Sequence, residues 1–183
     1  MERNFVLIVL YAALIAALGL VPQIMLMTGV PISAQSLGVM LCGTVLGARR
    51  GALAVLLFLA LVALGLPLLA GGRGGIGVFA GVTIGYLIGF PMAVFVTGWI
   101  TERLTRLPLA LAAGIGAAVG GFLVLNLCGI PGMAWKLGKT LPEATLLITP
   151  FIPGDLIKAA VAGMVTAAIA RARPQMVLSR KSA

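Results

Sequence analysis

An all-α integral membrane protein of six transmembrane helices, folded as one domain over residues 1–183, is the fold class this sequence predicts. Three observations carry the prediction. The chain is 61% hydrophobic and 9% charged, with mean hydropathy +1.19, whereas soluble domains are about 45–50% apolar and about 25% charged. Six apolar segments, near 5–21, 34–48, 51–66, 77–100, 108–129 and 152–170, are each bounded by Gly, Pro or charged residues. At about 20 residues per span, 183 residues hold five or six such helices and no soluble domain besides.

The first segment follows Met1-Glu2-Arg3 and reads as a retained helix, because its flank is too weakly basic for a secretory leader. It carries Ala12 with Ala16, and Ala13 with Ala17, the small-xxx-small spacing at which membrane helices pack within or between chains. The second and third segments are short, and the junction Arg49-Arg50-Gly51 makes them a tight helical hairpin, with Pro67 ending the third. The fourth has Gly77, Gly81, Gly85 and Gly89 at strict four-residue spacing, which predicts a flat groove for a neighbouring helix. Thr83 and Tyr86 put hydroxyls on that same helix, about a third of the way in, to be met by a neighbouring helix or a ligand. The sixth opens Pro153-Gly154-Asp155-Leu156-Ile157-Lys158, placing two charges three residues apart on one face of an apolar helix.

Charge predicts the orientation. With the N-terminus cytoplasmic, the inner side collects Arg3, Arg49, Arg50, Arg103, Arg106, Arg171, Arg173, Arg180 and Lys181, against Arg73, Lys136 and Lys139 outside. Six spans then put both termini in the cytoplasm. The net charge of +9 is scattered through loops with no interleaved aromatics, so it reads as topology and not as a nucleic-acid surface. The expected setting is a multi-pass position in a bacterial cytoplasmic membrane.

Several functions are excluded by what the chain lacks. There is no His, and Cys42 and Cys128 are too few and too far apart for a thiolate site, so no metal and no cofactor is expected. The run Gly71-Gly72-Arg73-Gly74-Gly75 lacks the Gly-Lys-Ser/Thr ending of a phosphate loop and reads as a close backbone approach, a flap over a site, or a plain connector. No paired carboxylates and no Gly-x-Ser-x-Gly are present, which argues against an enzyme.

In this topology the outer connections, Pro22 to Ser33, Pro67 to Ile76 and Ile130 to Phe151, converge on the side of Asp155 and Lys158. An ionisable group at membrane depth costs roughly 2.5–3.5 kcal/mol on insertion scales. A buried ion pair gains little over apolar residues, so Asp155 and Lys158 point to a ligand more than to a mutual bridge. Gln35, at the outer start of the second span, either caps a helix or reads a ligand.

The segments Val30-Pro31-Ile32-Ser33-Ala34-Gln35-Ser36-Leu37-Gly38, Gly71-Gly72-Arg73-Gly74-Gly75, Thr83-Ile84-Gly85-Tyr86-Leu87-Ile88-Gly89-Phe90 and Pro150-Phe151-Ile152-Pro153-Gly154-Asp155-Leu156-Ile157-Lys158 together resemble BioY, the biotin-specific S component of energy-coupling factor (ECF) transporters. The resemblance covers nearly the whole chain, with four motifs in order. One departure is Gly81-Val82-Thr83, where the family reads Gly-Pro-Thr. The resemblance implies an S-component bundle that binds biotin at its outer side and takes it up with a transmembrane coupling (T) protein and a pair of ABC-type ATPases on separate chains. It also matches Ala12 and Ala16 to the stripe that docks on the coupling protein.

For such a ligand, an ionised Asp155 accepts the ureido N–H bonds at the stronger, charge-assisted level. Gln35, Tyr86 and Thr83 complete the polar contacts, and Lys158, Arg73 and the Lys136/Lys139 pair are candidates for the carboxylate, with Lys158 alternatively holding Asp155 charged. Trp135, Phe79, Phe151 and Met133 are candidates for apolar surface. The rival readings are an S component for thiamine or riboflavin on the same scaffold, and a stand-alone transporter in which Asp155 carries a proton.

Overall fold

The computed structural model describes residues 2–22, 24–25 and 31–180. Met1, Val30 and Lys181, which were named above, lie outside them. The architecture is a helical bundle: α1 (Glu2–Leu18), α2 (Gln35–Leu46), α3 (Ala48–Ala63), α4 (Ile84–Arg103), α5 (Leu109–Leu137), the short α6 (Leu141–Ile148) and α7 (Ile152–Ala172). A two-residue antiparallel ladder, Ile24–Met25 against Pro31–Ile32, sits between α1 and α2. Ile84–Arg103, Leu109–Leu137 and the run Leu141–Ala172 are long and apolar enough to cross a membrane, and Gln35–Leu46 is a shorter apolar helix.

α2 shows why its sequence has no polar face. Val39, Met40, Cys42 and Val45 are completely buried, so the helix is enclosed by its neighbours. Its last turn, Cys42–Leu46, is π-helical. The chain then reverses at Gly47, whose φ of +84° suits glycine and where a Cβ would collide with the Glu102 carboxylate. The reversal is therefore before Ala48, and Arg49 and Arg50 belong to the first turn of α3 instead of the connection expected at Arg49-Arg50-Gly51. α3 also ends before Pro67, at Ala63, followed by Gly65 with φ +106°.

α4 runs through the centre, with Ala93, Val94 and Thr97 fully buried among α2, α3 and α5. The expected four-glycine groove is only half realised. α4 starts at Ile84, after a 3-10 turn over Ile76–Ala80, so Gly77 and Gly81 are not on the helix. A Cβ at Gly77 would meet nothing within 4 Å, and one at Gly81 would touch only Val78 O at 3.4 Å. Gly85 and Gly89 do pack closely: a Cβ at Gly89 would lie 2.8 Å from Cys128 Cβ, and one at Gly85 would strike the Cys128 carbonyl on α5. The same late start puts Tyr86 in the first turn of α4 instead of a third of the way along a span.

α5 continues past its expected end at 129 to Leu137, through a π-helical stretch (Ala117–Val124) and past Pro131. Gly138 in the left-handed conformation ends it, and a capping box starts α6, in which Glu143 accepts from the Thr140 backbone N–H at 2.8 Å. The connection expected over 130–151 is thus largely helical.

At the other end of the bundle the tail folds back. Leu178 and Ser179 donate their backbone N–H groups to Val45 O at 2.7 and 3.0 Å, satisfying a carbonyl that the end of α2 leaves open. Arg180 donates to the Leu104, Thr105 and Leu107 carbonyls beyond the end of α4.

Candidate ligand-binding site

Four elements meet at one end of the bundle around a cavity of about 80 Å³. Ser33 just before α2 and Ser36 in its first turn, Thr83 at the N-cap of α4 with Tyr86, Leu87 and Phe90 on that helix, and Leu125 and Asn126 on α5 line it. Phe151, from the 3-10 turn before α7, and Asp155 and Lys158 on α7 complete it.

Lys158 is the centre of the polar network. Its ammonium donates to Asp155 Oδ1 at 3.0 Å, to Ser33 O at 2.9 Å and to Ser36 Oγ at 2.9 Å. An ammonium has three protons, so these acceptors saturate it. Asp155, in the first turn of α7 and only 8% exposed, meets Lys158 through Oδ1; among the described residues its Oδ2 receives no hydrogen bond. Tyr86 donates to Asn126 Oδ1 at 3.3 Å, and Asn126 donates to Phe122 O at 2.8 Å, which leaves one amide proton and a phenolic lone pair. A Cβ at Gly129 would overlap the Tyr86 ring, so the ring is seated on a bare stretch of α5. The cavity therefore combines apolar side chains with an acidic oxygen, the hydroxyls of Thr83 and Tyr86 at the start of α4, and an amide.

The sequence candidates divide here. Asp155, Lys158, Tyr86 and Thr83 are brought together, with Phe151 beside them. Gln35 is not in the lining: its amide donates to Ile15 O (3.2 Å) and Leu68 O (2.9 Å) and accepts from Ala70 N (2.8 Å), tying α1 and the 66–75 loop to the head of α2. Arg73 is also outside the lining and donates from Nε to Ala70 O across the turn closed by the Leu69–Arg73 bridge. Lys136 lies over the exposed Trp135 ring at 4.4 Å, away from the cavity, and Met133 is buried under α6. Phe79 packs on the main core instead.

Asn126, Ser33 and Ser36 were not singled out from the sequence. Asn126 had a signal, as the one strongly polar residue between Arg106 and Lys136. Ser33 and Ser36 had none, because their role depends on α7 lying against α2.

The small residues of α1 divide between two faces. Ala12 is 3% exposed and belongs to the main core, on a helix that packs against α2 and α3. Ala16 is half-buried against the same core, and the small residues that face outward are Ala13 and Ala17.

A helical bundle with apolar helices of membrane-spanning length, a small, mostly apolar cavity and a few convergent polar groups has the form of a solute-binding membrane protein. The comparisons agree. The sequence model of the BioY family matches residues 2–175, and the chain belongs to that family. It is 58% identical to "Biotin transporter BioY" of Rhodobacter capsulatus, over 98% of this chain and all of that one. With its counterpart in Rhizobium etli it shares 49% identity, over 91% of this chain and 92% of the relative. Among solved structures it is similar to the S component for biotin from an ECF-type ABC transporter, with a TM-score of 0.88 and 29% identity, over 93% of this chain and 92% of that one.

Proposed function

We propose that this chain binds biotin with high affinity and takes it up across the cell membrane as the substrate-binding component of an ATP-driven ECF system, and that it is a transport protein without catalytic activity of its own. Family membership and the relatives named as biotin transporters support this. The observation that carries the site assignment is Asp155, buried at the rim of an apolar cavity with Oδ2 free of protein donors.

In this reading Oδ2 accepts the ureido N–H groups, and Tyr86, Asn126 and Thr83 supply the remaining polar contacts. Lys158 keeps Asp155 ionised and aimed, since its protons are already taken. Gln35 acts one step back, holding the Leu68–Ala70 backbone against α2. Arg73, whose bonded nitrogen is Nε alone among the described residues, is then the cation for the carboxylate. The cavity is far below the roughly 300–1,000 Å³ of ligand pockets, so ligand entry displaces the Phe151 turn or the Ser33–Ser36 segment.

The topology that goes with it is one domain with six crossings, α1 to α5 and α7, both ends of the chain cytoplasmic and the site facing out. It is supported by the cationic residues Arg49, Arg50, Arg103 and Arg180, which lie at the end of the bundle remote from Asp155. A coupling membrane protein and ABC-type ATPases are the partners, with the outward Ala13 and Ala17 of α1 as the docking stripe.

The test is radiolabelled biotin binding to the purified protein. Tight binding is expected, with a loss of about 10- to 100-fold in Asp155→Asn, the equivalent of one charge-assisted hydrogen bond. Absence of binding at micromolar biotin, or unchanged affinity in Asp155→Asn, overturns the assignment.

A further inference from the structure

A second cavity, of about 670 Å³, opens between α3 and α4 at the opposite end of the bundle. Tyr86 and Arg103, which mark the two sites, are 17 residues apart on α4, or about 26 Å along its axis at 1.5 Å per residue. The second cavity is lined by Arg49, Arg50 and Arg103, with Glu102, Phe95 and Trp99. Glu102 is occupied, since its Oε1 accepts from the Ala48 backbone N–H at 2.9 Å and caps α3. None of the three arginines forms a salt bridge among the described residues, and Arg103 stacks over Trp99 at 5.2 Å. Three planar guanidinium groups around one cavity, each with a fork of donors matched to phosphate oxygens, form an anion site.

What lies beside the cavity identifies the anion. On α4 the exposed Met92, Phe95 and Trp99 follow one another at three- and four-residue spacing and end at Arg103; on α3 Leu53 and Leu56 continue the face that Arg49 begins. These are two apolar rails leading away from a cationic head. A free phosphate needs only the head, and an acidic peptide has no use for rails that lie against acyl chains. Basic pockets between helices at a membrane surface suit anionic lipid headgroups. We propose that the α3–α4 cleft binds the headgroup phosphate of an anionic phospholipid, with its acyl chains along Leu53, Leu56, Met92 and Phe95. This inference is independent of the biotin assignment.

The experiment is native mass spectrometry of the purified full-length protein with equimolar phosphatidylglycerol and phosphatidylcholine. The wild type should retain phosphatidylglycerol preferentially, Arg50→Gln/Arg103→Gln should weaken retention about tenfold or more, and Arg171→Gln/Arg173→Gln should leave it unchanged. A photo-crosslinking phosphatidylglycerol on the unaltered protein should label α3 and α4 around Phe95 and Trp99, which holds the test open if the double variant unfolds. Equal retention by all three proteins, labelling elsewhere, or displacement of the lipid by millimolar inorganic phosphate or a glutamate-rich peptide overturns the proposal.

Discussion

Lys158 could serve the ligand or its neighbour Asp155, and the two roles have different energetic signatures. Bonded to Asp155, Ser33 and Ser36, it neutralises a carboxylate that would otherwise be an unpaired buried charge. Removing one member of such a pair costs on the order of 3 kcal/mol. Lys158→Met should therefore lower stability in thermal unfolding, while Asp155→Asn/Lys158→Met should recover most of that loss because no uncompensated charge remains. Biotin affinity should stay low in both, and a double variant that binds like the wild type would assign the pair to structure alone. Asp155 and Lys158 were legible in the sequence as costly charges in an apolar helix. That Lys158 is saturated was not, because two of its acceptors, Ser33 and Ser36, are more than a hundred residues away.

Among the helices, α4 shows how a regular sequence pattern is cut by the geometry that surrounds it. The glycines at 77, 81, 85 and 89 are evenly spaced, yet only the last two lie on helix and meet α5. Gly85→Val should destabilise the bundle by about 1–3 kcal/mol through overpacking, read as a drop in Tm, and Gly77→Ala should be tolerated. α6 makes a separate prediction. Hydrogen bonds from Thr140 hold the Glu143 carboxyl below its ordinary value of 4.5. A group with a depressed folded pKa contributes stability above its unfolded pKa and loses it as pH falls through the folded one. The Thr140 amide chemical shift should accordingly titrate with a midpoint below 4.5, and Glu143→Gln should abolish that titration.

The whole molecule places its two unusual polar regions at opposite ends of α4, the Asp155 cavity at one and the arginine cleft at the other. The Arg180 tail closes that second end against the end of α4, and its Leu178–Ser179 backbone closes it against α2. The biotin reading expects uptake into membrane vesicles only when the coupling protein and ATPases are present and ATP is supplied inside. Uptake without them that collapses on addition of an uncoupler would favour a proton-coupled transporter instead. The proposed orientation rests on the distribution of Arg and Lys, a rule that depends on loop charge and not on packing. The small-residue stripe of α1 was legible only as a spacing, and four residues apart describes Ala12/Ala16 and Ala13/Ala17 equally.

Membrane class, helical fold and the two charged residues that line the cavity could be read from the chain alone, because hydropathy, missing residue types and the cost of burying charge are local properties. Packing settled the rest: which face of α1 is exposed, where α4 begins, that Gln35 braces backbone instead of lining the cavity, and that Asn126 and Ser36 lie with Asp155 around it. Each of those depends on which helix lies against which, and a helix presents several faces with the same spacing until its neighbours cover all but one.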